Sequence, residues 1–138
     1  MIRLVALFCV FIASCFSSIA IAQPTLSTPV DLSTVGTQST GLNIAVSSDG
    51  TRATAVWLEK SASGNKQVKT SSAIISGGVA SWGPVTTLSA ANIDVPEAIV
   101  KVSADGAGAL AVWQSSGTSS QSSVIESSSA SVVGNTAS

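Results

Sequence analysis

One stretch of the chain occurs twice, and this repeat constrains the fold more than any other feature. Residues 32–73 align without a gap with residues 88–129, and fourteen of the forty-two aligned residues are identical. Composition alone would match only about five of those positions in a chain this rich in Ser and Ala, so the two segments are related copies. The best-matched runs are VSSDG and ATAVW at 46–50 and 53–57, which recur as VSADG and ALAVW at 102–106 and 109–113. The sequence therefore predicts one structural unit repeated at a spacing of 56 residues.

Each unit is predicted to consist of short strands. Asp-Gly between two apolar runs is typical of a tight hairpin turn of the primed type, because Gly adopts positive φ freely. The next run, 53–58 or 109–113, is apolar on both faces, which indicates a strand that is covered on both sides. A third strand is predicted at 67–75 and a fourth at 85–88, where Pro84 is tolerated at the start or edge of a strand. Because Gly, Ser, Thr and Val dominate and no helical stripe recurs, the predicted fold class is all-β.

Four short strands with an Asp-Gly turn and a Trp at the end of the second strand are typical of a β-propeller blade. The patterns V-S-x-D-G-x-x-A-x-A-V-W and W-G-P-V-x-x-L-S resemble the repeats of secreted bacterial sialidase-like propellers, which are related to Asp-box proteins. The resemblance covers residues 23–138 and implies two four-stranded antiparallel blades, the second of them incomplete. The chain departs from the Asp-box form S-x-D-x-G-x-x-W, because Gly50 and Gly106 directly follow the Asp.

The repeat divides the chain into five predicted parts. Residues 1–22 form a signal peptide, 23–41 an N-terminal segment with a stray blade strand at 29–33, and 42–89 blade 1. A linker at 90–97 leads to the incomplete blade 2 at 98–138, which has a Ser-rich tail. The stray strand resembles residues 84–89, so it is interpreted as a fourth strand without its own blade. The second unit is expected to end before its fourth strand.

The N-terminal segment has the features of an export signal. Arg3 precedes an apolar run that closes with Ala20-Ile21-Ala22, and a positive start, an apolar middle and an A-x-A exit are typical of a secretory signal peptide. The predicted location is therefore secreted, periplasmic or on the cell surface, with no membrane span left after cleavage. As an alternative, the run before Cys15 resembles a bacterial lipobox, which would make the protein a lipoprotein anchored at Cys15.

Two blades are fewer than the four to eight of a closed propeller. One explanation is that the chain is a fragment of a longer propeller. A second is that two-blade chains assemble as homo-oligomers, with the front strand of one copy closing the last blade of its neighbour. A third is a β protein that is not a propeller, such as a sandwich or a solenoid segment.

Three residues are candidate ligand-binding residues. Asp49 and Asp105 could bind a cation or a sugar hydroxyl, although turn residues of this kind usually accept hydrogen bonds from nearby backbone N–H groups. Trp82 has no counterpart in the second unit, so it is the better candidate for an exposed aromatic platform. Trp57 and Trp113 occupy the same repeat position, which favours a packing role for both. The charges at 59–60 and 66–69 are interpreted as solvated.

Several function classes are excluded by the residues that the chain lacks. The chain has no His and no Tyr, and its two Cys lie within residues 1–22, so thiol catalysis, histidine metal sites and Ser-His arrangements are not expected. A net charge of −1 provides no basic surface for nucleic acid. The sialidase-like resemblance implies an arginine cluster and a Tyr nucleophile, but Arg52 is the only Arg beyond the signal. We therefore expect no enzyme activity, cofactor or metal in this chain; the alternative is that a longer parent protein acts on glycosides and that its catalytic blades are missing here.

These observations favour an exported, non-catalytic β-propeller repeat protein with a structural or protein-interaction role. The alternative is a carbohydrate-binding module, possessing Trp82 and the turn acids in its site and assembling its blades by oligomerisation. The expected partner is thus a protein or a glycan.

Overall fold

The computed structural model describes residues 27–90, 94–116 and 122–137, and in these residues it contains nine β-strands and no helix. The prediction of an all-β fold is confirmed. No helix among the described residues is long and apolar enough to cross a membrane. The predicted signal peptide at 1–22, including Cys15, lies outside the described residues.

The first unit forms an antiparallel sheet, here called sheet 1. Its strand order is β1-β2-β3-β4, and β5 pairs with β3 beyond the end of β4. The strands are β1 (Ser39–Val46), β2 (Arg52–Lys60), β3 (Lys66–Ser76), β4 (Val79–Trp82) and β5 (Thr86–Thr87). The predicted fourth strand at 85–88 is thus reduced to two residues, because the Gly77-Gly78 turn already returns the chain along β3 as β4.

The second unit forms sheet 2 with the same antiparallel order, β6-β7-β8-β9. The strands are β6 (Glu97–Val102), β7 (Gly108–Ser116), β8 (Ser123–Val133) and β9 (Thr136–Ala137). Strand β9 pairs with Val132 and Val133 of β8 and is the counterpart of β4, so among the described residues the second unit has no counterpart of β5, the strand predicted as the fourth. Glu97 belongs to β6 and not to the predicted linker at 90–97.

The strand registers of the two sheets correspond, apart from a register shift between Thr40 and Asn43 in β1 and a one-residue insertion before β8. Val46 pairs with Ala53 and Val102 with Ala109, which is the 56-residue spacing of the sequence repeat. The spacing becomes 57 in the last two strands, because Ala73 lies opposite Ala53 whereas Ala130 lies opposite Ala109. The second unit has one extra residue between its second and third strands, which moves the counterpart of Val68 from Val124 to Ile125. The ungapped sequence alignment missed this insertion.

The sheets pack face to face and share one hydrophobic core. Sheet 1 contributes Val56, Leu58 and Val68, while sheet 2 contributes Ala98, Val100, Ala111 and Trp113 among others. Strand β6 lies against β1 and β2, and β9 lies against β3. Burying each large aliphatic side chain in such a core stabilises a fold by about 1.5–3 kcal/mol. Each sheet therefore depends on the other to cover one of its two faces.

The prediction that the second strand of each unit is covered on both sides is confirmed for β2 and wrong for β7, where Leu110 is exposed because no further sheet of the described residues covers that face. Residues 53–59 are all buried, those at even positions facing sheet 2 and those at odd positions facing away from it. On the side facing away, Trp57 lies beside residues 30–33, so the N-terminal segment covers part of that face. The predicted strand at 29–33 is wrong, because these residues form no strand.

Candidate functional site

The two Asp-Gly turns lie side by side at one end of the molecule. Both the N–H and the hydroxyl of Ser48 donate to the carbonyl oxygen of Ala104, at 3.0 and 2.8 Å. The negative charge of Asp49 acts on Asp105 across this contact. The structure thus brings together two of the three candidate residues that the sequence placed 56 residues apart.

The first turn has five residues and is closed by the side chain of Asp49. Its carboxylate accepts hydrogen bonds from the Ser47 hydroxyl at 2.6 Å, from the Thr51 N–H at 3.0 Å and from the Thr51 hydroxyl at 2.8 Å. Gly50 has a φ of 70°, but Asp49 does not have a positive φ. The predicted primed turn is therefore wrong, because a primed type I turn needs positive φ at both central residues.

The second turn repeats this arrangement. The Asp105 carboxylate accepts hydrogen bonds from the Ser103 hydroxyl at 2.6 Å and from the Ala107 N–H at 3.0 Å. Its Oδ2 accepts no hydrogen bond from the described residues, whereas Oδ2 of Asp49 is bound by Thr51. Asp105 is thus the carboxylate with an oxygen that faces solvent.

These hydrogen bonds keep both turn carboxylates ionised. The Ser47 hydroxyl, followed by the Thr51 N–H and hydroxyl, lowers the pKa of Asp49 from 3.8 to about 2. The Ser103 hydroxyl and the Ala107 N–H lower the pKa of Asp105 in the same way. A carboxyl group with so low a pKa is a poor proton donor or acceptor near neutral pH, because general acid-base catalysis is most effective when the pKa is close to the working pH.

Arg52 ties the two units together beside the turns. Its guanidinium donates to the carbonyl oxygen of Gly134 at 2.6 Å, in the turn between β8 and β9. On the way it crosses Gly106, where an added Cβ would lie 2.5 Å from Cδ of Arg52. A Gly at 106 is therefore needed for this crossing as well as for its φ of 70°. In the sequence Arg52 stands out only as the single Arg after residue 22, and no signal in the sequence identifies its partner.

Trp82 lies at the same end of sheet 1 and is half-buried. It ends β4 and pairs with Ala73, which in turn pairs with Ala53 at the beginning of β2. The next residue, Gly83, is so close to the backbone of Asn135 that an added Cβ would overlap its carbonyl group. Trp82 is thus fixed between β3 and the turn of sheet 2, and it is not a fully exposed platform.

Trp57 and Trp113 are buried at equivalent positions, as the packing interpretation predicted. The indole N–H of Trp57 donates to Glu59 at 3.3 Å, and that of Trp113 donates to Glu126 at 2.8 Å. Their surroundings differ in what covers them, since Trp113 is part of the core between the sheets and Trp57 lies under residues 30–33.

The interpretation of Glu59 as a solvated charge is wrong, because its side chain is only 6% exposed. Glu59 accepts hydrogen bonds from the Thr34 N–H at 3.2 Å and from Trp57. Burial by itself raises the pKa of Glu59, but these hydrogen bonds outweigh it and hold the pKa below its usual value. Glu59 therefore attaches the N-terminal segment to sheet 1.

A cavity of about 240 Å³ lies between the sheets. Among its lining residues are Thr54, Thr70, Leu88, Val100 and Ala111. The hydroxyls of Thr54 and Thr70 are hydrogen-bonded to Ser72 and to the carbonyl oxygen of Ala55. The residues that line this cavity are uncharged.

Within the described parts of the chain, no group of three or more His, Cys, Asp or Glu residues is arranged to hold a metal ion. Comparison of the chain with protein-family models, curated proteins and solved structures finds no match. The chemistry available at the turn end is thus that of two ionised carboxylates, one guanidinium that is already bound and one half-buried indole.

Proposed function

We propose that the protein is an exported, non-catalytic repeat protein of the β-propeller type, with a structural or protein-interaction role. The observation that carries this proposal is the stacking of two sheets with equal strand order and register, in which the first strands lie against each other. Blades of a propeller stack in this way, with each blade covering one face of the next.

The state of the turn acids supports a role without catalysis. Asp49 and Asp105 are ionised and bound within their own turns, so neither is poised to move a proton. Retaining and inverting glycosidases with paired carboxylates need one acid whose pKa is raised. The pKa shifts here have the opposite direction.

The experiment combines export with an activity assay. The full 138-residue chain, tagged at its C-terminus, is expressed in a Gram-negative host, fractionated, sequenced from its N-terminus and assayed on fluorogenic sialosides and glycosides. We expect export, an N-terminus at Gln23 and no hydrolysis. Hydrolysis that follows the purified protein, or retention of residues 1–22 in the cytoplasm, would contradict the proposal.

A carbohydrate-binding role is the second candidate. It is favoured by the position of Trp82, Asp49 and Asp105 at one end of the molecule and by the solvent-facing oxygen of Asp105. Indole rings and carboxylates are groups that bind sugar faces and hydroxyls. Glycan-array binding that is lost in Trp82→Ala but survives in Asp49→Ala would favour this candidate over the scaffold. Absence of binding in all variants would leave the scaffold.

A further inference from the structure

The outer face of sheet 2 exposes large apolar side chains between polar ones, and it corresponds to a face that is buried in sheet 1. We call it outer face 2 and define it by Ile99, Leu110 and Ile125. Ile125 is 69% exposed, whereas its counterpart Val68 is 0% exposed because sheet 2 covers it. Both residues follow the same register, since Val68 lies opposite Leu58 and Ile125 lies opposite Gln114. Outer face 2 therefore has the geometry of a surface that another unit of the same type covers.

The outer face of sheet 1 is the complementary surface. We call it outer face 1 and define it by Leu42, Ile44 and Val46, which are all exposed. At the 56-residue spacing they correspond to positions 98, 100 and 102, and Ala98 and Val100 are buried against sheet 1. The molecule thus exposes both halves of the interface that already joins its two sheets.

The N-terminal segment completes this correspondence. At the 56-residue spacing, residues 30–33 correspond to residues 86–89, and Leu32-Ser33 is identical to Leu88-Ser89. Residues 86–87 form β5 on the edge of β3, the Leu88 N–H donates to the Val68 carbonyl, and the Val68 N–H donates to the Ser89 hydroxyl. Among the described residues, no strand pairs with the corresponding edge of β8. An unpaired edge of this kind is a template for an added strand.

We propose that outer face 1 of a second copy of this chain docks on outer face 2, with residues 30–33 of that copy adding a strand to β8. By the register of β5 on β3, the Leu32 N–H donates to the Ile125 carbonyl, and the Ile125 N–H donates to the Ser33 hydroxyl. In this arrangement residues 30–33 stay beside Trp57 of their own chain while they pair with β8 of the other copy. Their counterparts do the same, because Leu88 packs against the core while its neighbours pair with β3. The inference rests on the proposed function, since it extends the same stacking.

The two faces are different surfaces, so the interface is heterologous. A heterologous contact repeats from copy to copy and gives a closed ring or an open filament. The occupant is a second copy because the chain itself carries both complementary faces and, in residues 30–33, the segment that corresponds to the one paired with β3. The sheet 1–sheet 2 interface already provides the packing geometry that this contact continues.

One residue pair in the proposed contact predicts a substitution that strengthens self-association. Lys69 lies opposite Thr87, and the corresponding pair across the two copies is Glu126 opposite Asp31. Like charges directly opposite each other on paired strands are destabilising. Asp31→Lys should therefore strengthen self-association about two- to fivefold, whereas Ile125→Lys should abolish it because it places an unpaired charge in the contact.

The docking is tested by disulfide trapping and by mass. Residues 23–138 contain no Cys, so Asp31→Cys and Glu126→Cys variants of the expressed full chain carry single thiols once the signal is removed. We expect a disulfide-linked dimer when the two variants are mixed, and none when Asp31→Cys is mixed with Ser76→Cys. Light scattering over a concentration series should show multiples of the chain mass for the wild type, a shift to lower concentration for Asp31→Lys and a single mass for Ile125→Lys. Val79→Lys, at a half-exposed Val beside the Gly77-Gly78 turn, should behave like the wild type.

A folded protein that stays at the mass of one chain, as wild type and as Asp31→Lys, would overturn the docking. So would trapping that does not exceed the Ser76→Cys control. A folded, exported monomer without hydrolase activity overturns the docking alone and leaves the proposed function standing. A hydrolase that self-associates with the expected variant pattern supports the docking and overturns the proposed function.

Discussion

Single side chains at the turn end act mainly within the fold. Asp49 and Asp105 each close their own turn, and Arg52 links the turns to Gly134 of the second sheet. Asp in such a turn was predictable from the sequence, because a short carboxylate two residues before a backbone N–H accepts its hydrogen bond. The contacts of Arg52 and Glu59 were not, because their partners lie 82 and 25 residues away.

Asp49 should make stability depend on pH in acid. Its folded-state pKa of about 2 lies below the ordinary value of 3.8, so its stabilising effect is present above pH 3.8 and is lost as the pH falls through 2. Asp49→Asn should lower the melting temperature at pH 7, and the difference from the wild type should shrink between pH 4 and pH 2. Thermal unfolding followed by circular dichroism measures this. The control is Glu97→Gln, which removes a carboxylate from a strand and not from a turn. A melting-temperature difference between Asp49→Asn and the wild type that stays constant with pH would contradict the prediction.

At the scale of elements, equivalent strands of the two sheets have unequal surroundings. The third strands, β3 and β8, are both 11 residues long and pair in the same register with the strand before them. Strand β3 is covered by sheet 2 and by β5, while most of β8 is exposed. The same position in the repeat can therefore be a core position in one unit and a surface position in the other.

This inequality predicts unequal costs for two matched truncations. Val68→Ala should lower the free energy of unfolding by about 2 kcal/mol, because a fully buried Val loses its packing. Ile125→Ala should change it by less than about 0.5 kcal/mol. Urea unfolding at protein concentrations below self-association measures both values. Equal costs would contradict the exposed position of β8.

At the scale of the whole molecule, the two sheets should fold as one unit. Their core is shared, with Val56, Leu58 and Val68 from one sheet against Val100 and Trp113 from the other. Sheets that cover each other cannot keep their apolar faces from water when they separate, so unfolding of one exposes the other.

Trp fluorescence can test this cooperativity from each sheet separately. A Trp82→Phe/Trp113→Phe variant reports only on Trp57 in sheet 1, and a Trp57→Phe/Trp82→Phe variant reports only on Trp113 in sheet 2. We expect the same urea midpoint from fluorescence and from circular dichroism within each variant. Within either variant, a fluorescence transition that is separate from the circular dichroism transition would show that the sheets unfold independently.

The sequence by itself determined the all-β class and the position of β2, the strand that is buried on both sides. Turn residues and the alternation of side chains are local, so a single chain displays them directly. The tertiary structure decided the one-residue insertion before β8, the burial of Glu59, the crossing of Arg52 over Gly106 and the absence of a strand at 29–33. These depend on which surfaces meet, because a carboxylate is buried only where donors from other segments of the chain receive it.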